Sequence, residues 1–186
     1  MIAIIDYKAG NAPSVLHAVE HIGFSAKLVK NKEELKGATH IILPGVGSAK
    51  ATMDSLKEID ILDALAEAVK KNKTPFLGIC VGMQILFEYS EEGDVDCLGW
   101  LEGRVKKFDF ALTRVPQMGW NKVWDDHYYF VNSYYAVPKN ASDIWGTADY
   151  GIKFCASVKR GNIWGTQFHA EKSGAAGLAL LKEFLC

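Results

Sequence analysis

The segment Thr74-Pro75-Phe76-Leu77-Gly78-Ile79-Cys80-Val81-Gly82-Met83-Gln84 constrains the fold more than any other. An apolar run ends in Gly-x-Cys-x-Gly and passes at once into a helix-like stretch. That order describes a sharp strand-to-helix turn, which lifts one side chain above a sheet. Glycines at 78 and 82 permit a turn that would clash with a Cβ. The lifted side chain is Cys80. At the start of a helix its thiol meets free N–H groups and the positive end of the dipole, which favour a thiolate. A buried, inert cysteine would fit the same run. The choice depends on what else the chain supplies.

The first half supplies the rest of a layered fold. Strands are predicted at Ile2–Asp6, Ala26–Val29, His40–Leu43 and Pro75–Ile79. Between them, Val15, Val19 and Ile22 form one apolar stripe, and Ile61, Leu65 and Val69 another, near the helical period. Strands alternating with helices imply a parallel sheet with helices on its faces. Ligands bind such sheets at the carboxyl ends of the strands. Asp6, the turn Pro44-Gly45-Val46-Gly47 and Cys80 all fall there.

The second half changes character. Leu101–Phe108, Val115–Trp124, Tyr128–Val137, Ile144–Ala148 and Phe154–Val158 read as strands joined by short turns, with Arg160-Gly161-Asn162 as a hairpin turn. A helix over roughly 175–185 closes the chain, with Leu178, Leu181 and Leu185 on one face. The expected fold is α/β: one domain over 1–186, with a central parallel or mixed sheet flanked by helices and a partly antiparallel annex. Tyr128-Tyr129-Phe130-Val131-Asn132-Ser133-Tyr134-Tyr135 resembles a stacking platform for bases, but aromatic residues also favour strands and cores.

A thiol nucleophile needs a base, and the base needs a group to orient it. A strand-like run over 161–168 ends in His169, with Glu171 two residues on. Cys80, His169 and Glu171 therefore supply the three chemistries of a triad. A formal net charge of −1 argues against a nucleic-acid binder. No apolar run approaches the ~18 residues of a membrane span. The N-terminus reads as a strand without a basic leader. The other cysteines, Cys97, Cys155 and Cys186, form no C-x-x-C pair with each other or with Cys80. No metal and no cofactor are therefore expected, and the location reads as the reducing cytoplasm.

These segments, taken together, resemble the class I (triad-type) glutamine amidotransferases. Within that family they are most similar to the glutaminase subunits of imidazole glycerol phosphate synthases. The markers are Ile5-Asp6-Tyr7-x-x-Gly10-Asn11, Leu43-Pro44-Gly45-Val46-Gly47, the cysteine elbow, Leu98-Gly99-Trp100-Leu101-x-Gly103-x-Val105, Pro116-x-Met118-Gly119-Trp120-Asn121 and Gln167-Phe168-His169-x-Glu171-Lys172-Ser173-Gly174. The resemblance implies that Cys80 attacks the amide of L-glutamine, with His169 as base and Glu171 as its orienter. It implies oxyanion donors at Val46, Gly47 and Val81, and a glutamine site at Gln84, Ser133 and Tyr134. It also implies a heterodimer with a (β/α)₈-barrel cyclase subunit, faced by Asn11 and Lys172, into which ammonia passes.

Three positions depart from the family pattern. Gln117 and Asn132 stand where histidine is usual, and Ala170 stands where proline is usual. Ala170 gives up the φ restraint of a proline between His169 and Glu171. The departures keep open a paralogue that supplies ammonia to a surface-sugar-modifying synthase. A stand-alone γ-glutamyl hydrolase and a non-catalytic regulatory subunit are further alternatives. Met118-Gly119-Trp120-Asn121 disfavours the hydrolase, and the intact triad disfavours the regulatory subunit.

Overall fold

The computed structural model describes residues 1–8 and 10–186. Ile2-Ala3-Ile4-Ile5 has no polar side chain, so a strand built from it must be covered on both faces, as in a parallel sheet. It forms β1 (Ile2–Ile5), buried throughout. Then follow α1 (Ala12–His21), β2 (Ala26–Val29), β3 (His40–Gly45), α2 (Ala49–Glu58), α3 (Leu62–Ala66), β4 (Phe76–Cys80) and α4 (Val81–Gln84). Ser48 caps α2 by accepting the Ala51 N–H at 3.2 Å. The 61/65/69 stripe is buried as its spacing requires, but α3 relaxes after Ala66 into a π-helical turn, Glu67–Lys71.

The second half holds β5 (Tyr89–Ser90), β6 (Val95–Asp96), β7 (Gly103–Lys107), β8 (Gln117–Val123), β9 (Asp126–Asn132), β10 (Tyr134–Pro138), β11 (Ile144–Tyr150), β12 (Ile152–Arg160), β13 (Ile163–Thr166) and α5 (Gly174–Leu185). One eleven-stranded sheet runs β2-β1-β3-β4-β13-β12-β10-β7-β5-β6, with β11 pairing β12. The strands β2 to β13 in that order are parallel; from β13 through β12 and β10 to β7 the pairing is antiparallel. The sheet is thus mixed, with a separate antiparallel pair, β8-β9.

Two expectations need correction. The run 128–137 is not one strand. It breaks at Ser133 into β9 and β10, which belong to different sheets. No glycine or proline marks the break, because the chain changes sheet rather than direction. The run toward His169 ends at Thr166, so His169 lies beyond its strand.

The core sits under β4. Phe76, Leu77 and Ile79 are fully buried, and each contributes about 1.5–3 kcal/mol. Strands β1, β3, β4 and β13 end on the same side, and their carboxyl ends frame the site.

Candidate active site

Cys80 is the last residue of β4 and has φ 55° and ψ −110°, a conformation that a side chain rarely adopts. The surroundings enforce it. A Cβ on Gly82 would lie 2.1 Å from the Leu43 carbonyl oxygen, and one on Gly78 would lie 2.3 Å from that of Gly82. The elbow therefore packs backbone on backbone against β3. The helix behind it is a single turn, so its dipole offers the thiol less than a long helix would. The main charge partner of Cys80 is His169.

His169 sits between β13 and a short 3₁₀ turn, Ala170–Lys172. Its backbone is tied on both sides. The His169 N–H donates to the Tyr129 carbonyl at 2.9 Å, and the Ser173 hydroxyl donates to the His169 carbonyl at 2.6 Å. Its Nδ1 lies 2.9 Å from Glu171 Oε1, which leaves Nε2 for Cys80. Ala170 is buried and does not prevent this geometry. Burial alone would push the imidazole down. Hydrogen bonds to Cys80 and Glu171, with their negative charge, overcome burial and raise it to about 10. The imidazole is therefore held toward its protonated form.

A cavity of about 320 Å³ opens beside the sulfur. Among the residues singled out in the sequence, Val46, Gly47, Cys80, Val81, Gln84, Ser133, Tyr134, His169 and Lys172 line it. Glu171 stands behind His169, outside the lining, and so does Asn11. Asn11 has φ 56° and precedes α1, where its Oδ1 accepts the Ser14 hydroxyl at 2.8 Å. Lys172 is exposed at the cavity.

Several groups in the wall are already engaged. Tyr7, buried next to Cys80, donates its hydroxyl to the Pro44 carbonyl at 2.9 Å. Burial pushes that phenol up to about 12, partly offset by the Thr52 hydroxyl 3.5 Å away. Gln84 Nε2 donates to the Tyr134 carbonyl at 3.1 Å and to Gln167 Oε1 at 2.9 Å, while its Oε1 has no partner among the described residues. The Ser133 carbonyl accepts the Phe108 N–H at 3.0 Å. Neither carbonyl of the 133–134 segment is a free acceptor.

Two further groups stand near the sulfur, and neither has a role assigned from sequence, although Gln167 belongs to the motif around His169. Glu92 reaches the lining from the β5–β6 turn, where its carboxylate accepts the Ala49 N–H at 3.0 Å and burial raises its pKa. Gln167 touches the sulfur itself, with Nε2 at 3.6 Å from Cys80 Sγ. Gln117 and Asn132 are register partners across β8-β9. Both are buried, and Gln117 Oε1 and Asn132 Oδ1 have no partner among the described residues.

Residues 3–186 match the family described as Glutamine amidotransferase class-I. The protein from Leptospira interrogans named "Imidazole glycerol phosphate synthase subunit HisH" is 44% identical over 201 residues, covering 99% of this chain and 98% of that one. The "Imidazole glycerol phosphate synthase hisHF, chloroplastic" of Arabidopsis thaliana is 41% identical over 201 residues, covering all of this chain but 34% of the plant protein. Among solved structures, one described as a glutamine amidotransferase superposes with a TM-score of 0.82 at 21% identity, covering 99% of this chain and 96% of its own. PurLQS from Thermotoga maritima gives 0.77 at 19% identity, with the same coverage of both chains. These two likenesses establish the fold.

Proposed function

The chain belongs to the class-I glutamine amidotransferase family, and from that membership we infer that it is the glutaminase subunit of an imidazole glycerol phosphate synthase. It hydrolyses L-glutamine to glutamate and ammonia for histidine biosynthesis. The observation that carries the chemistry is Cys80 and His169 together at the wall of one cavity, with Glu171 bonded to the Nδ1 of His169. The choice of synthase over a surface-sugar paralogue is supported by the 44% identity across both full chains.

In this reading the Cys80 thiolate attacks the glutamine carboxamide carbon. The oxyanion takes the Val81 N–H and the turn at Val46 and Gly47. The His169 imidazolium gives its proton to the departing ammonia, leaving a glutamyl thioester. Neutral His169 then takes a proton from water as it attacks, and glutamate leaves with the thiolate restored. Glu171 holds the imidazole in the required tautomer. The ammonium end of glutamine is assigned to Glu92 and to the free Oε1 of Gln84, two acceptors at the cavity. Ser133 and Tyr134 take the rest of the amino-acid end through groups other than their carbonyls.

The chain works as one subunit beside an acceptor-side unit, in keeping with the much longer plant relative. We assign that unit a (β/α)₈-barrel cyclase, docked at Asn11 and Lys172, with residues 1–186 acting as one domain. A cytosolic location belongs to the same reading, since the chemistry needs a free thiol. No helix among the described residues is long and apolar enough to cross a membrane. The Tyr7 hydroxyl holds the Pro44 carbonyl at the start of the turn, and in this reading the isolated chain is a slow glutaminase until its partner re-aims the Val46 N–H.

The test is Cys80→Ser in the reconstituted complex. Glutamine-dependent synthesis should vanish, while synthesis with added ammonia persists. Loss of both activities together contradicts the division of labour.

A further inference from the structure

We propose that Gln167 is a further catalytic residue, a side-chain donor that holds the Cys80 sulfur as a thiolate. The proposal rests on the reading of Cys80 as the nucleophile and adds a group outside the triad and the oxyanion donors.

The geometry fixes the direction of the bond. Gln84 Nε2 lies between two oxygens, the Tyr134 carbonyl at 3.1 Å and Gln167 Oε1 at 2.9 Å. An amide nitrogen is the only end of Gln84 that satisfies both. Gln167 Oε1 must then face Gln84, and Nε2 must face Cys80 Sγ at 3.6 Å. A flipped Gln167 would set two NH₂ groups against each other and turn an oxygen on the sulfur. The Gln167 backbone is anchored by its N–H to the Ala156 carbonyl at 2.8 Å. Gln167 and Gln84 are 0% and 2% exposed, so neither amide can trade these partners for water.

A sulfur only 4% exposed needs donors to carry negative charge, because desolvation favours the thiol. His169 is one such donor, and Gln167 is the second. The titratable groups that face the sulfur or its cavity are His169, Tyr7, Tyr134, Glu92 and Lys172. Gln167 differs from all of these in carrying no titration of its own, so its donation is constant across pH. The bond is strong to a thiolate and weak to a thioester sulfur. It therefore favours the free thiolate and eases its departure when water attacks the acyl group.

The experiment measures alkylation of Cys80 by iodoacetamide against pH in the full chain, for wild type, Gln167→Met and Gln167→Glu. Methionine keeps the length and removes the donor. Glutamate keeps the oxygen toward Gln84 and puts a second oxygen on the sulfur. The midpoint should rise by about one pH unit in Gln167→Met and further in Gln167→Glu, with kcat for glutamine down about tenfold to a hundredfold. Three coincident midpoints overturn the proposal, whatever happens to kcat. In ¹⁵N-labelled wild type, the Gln167 side-chain NH₂ resonances should shift with the same midpoint as alkylation. An NH₂ signal that ignores that transition overturns it too, even if both variants fail to fold. Alkylation reads the thiol without substrate, so its outcome is separate from glutamine turnover, on which the function itself stands or falls.

Discussion

Strands β3 and β4 and the pair β8-β9 form opposite kinds of wall around one sulfur. From Ile41 through Gly45 and from Phe76 through Cys80 every residue is buried, and the elbow closes backbone on backbone. The β8-β9 pair is hydrogen-bonded in a sheet of its own, with Met118 67% and Trp120 58% exposed. It contributes Val131 and Asn132 to the cavity, and its inner face leaves two amide oxygens without partners. The reactive atom is held by packing that has no slack, while the opposite wall is thin and not fully satisfied. Close packing fixes the strained Cys80 backbone. The looser wall is where a ligand or a partner can alter the site at small cost.

The largest effects should fall on His169 and Glu171, which stand between the two walls and are tied to β9 through the His169 N–H and the Tyr129 carbonyl. His169→Ala should lower kcat/KM by about 10⁴-fold or more, and Glu171→Ala by about 10- to 100-fold less. The base moves a proton, whereas the carboxylate only orients it. Equal losses, with both variants folded by circular dichroism, would contradict that ranking.

Two glycine substitutions compare the walls directly. Gly82→Ala puts a methyl 2.1 Å from the Leu43 carbonyl oxygen and should cost about 3 kcal/mol or more. Gly119→Ala in β8 meets nothing within 4 Å and carries only the strain of φ +133°, at about 1 kcal/mol. Urea melts that gave the two variants equal losses would erase the contrast.

The raised pKa of His169 gives stability a direction in pH. A group whose folded value, about 10, lies above its unfolded value of about 6.5 stabilises the fold most below the unfolded value. That contribution declines above pH 6.5 and is gone once pH has passed the folded value. The gap in melting temperature between wild type and His169→Gln should therefore be widest near pH 6 and close as pH rises through about 10. A gap that widens with pH would show that the imidazole is held neutral.

How much of this was legible in the sequence follows the same division. The stiff wall is written in residue types with one physical use each. Unbroken apolar runs specify buried parallel strands, and Gly78 and Gly82 flank the only residue that the turn can present. Even there α2 was passed over, and α3 gave no sign of its π-helical turn. In the second half, Tyr128–Val137 is an aromatic and aliphatic run interrupted only by Asn132-Ser133, which holds neither glycine nor proline, so no turn signal announces a change of sheet. Gln167 and Glu92 are ordinary polar residues in sequence. Gln167 acquires meaning only because β13 runs beside β4, and Glu92 because a turn folds back to the start of α2. Contacts of that kind are made by topology, which residue spacing does not encode.

The smallest expected effect tests whether the turn between the two walls is held by a single hydroxyl. Tyr7 donates to the Pro44 carbonyl, so it braces the start of the turn assigned to the oxyanion. Tyr7→Phe keeps the ring, which fills space against Gly10, and removes the brace. Loss of the hydrogen bond to the Pro44 carbonyl should cost about 1 kcal/mol of stability. Loosening the turn at Pro44 should let the Val46 N–H visit the oxyanion position without help. Turnover by the isolated chain should then rise several-fold, and the extra activation by the partner subunit should shrink by a similar factor. KM should stay nearly constant, because the donor acts on the transition state more than on bound glutamine. Steady-state glutaminase kinetics with and without the partner decide it. A folded Tyr7→Phe chain whose unassisted turnover is unchanged or lower would show that Tyr7 supports the productive turn rather than the parked one.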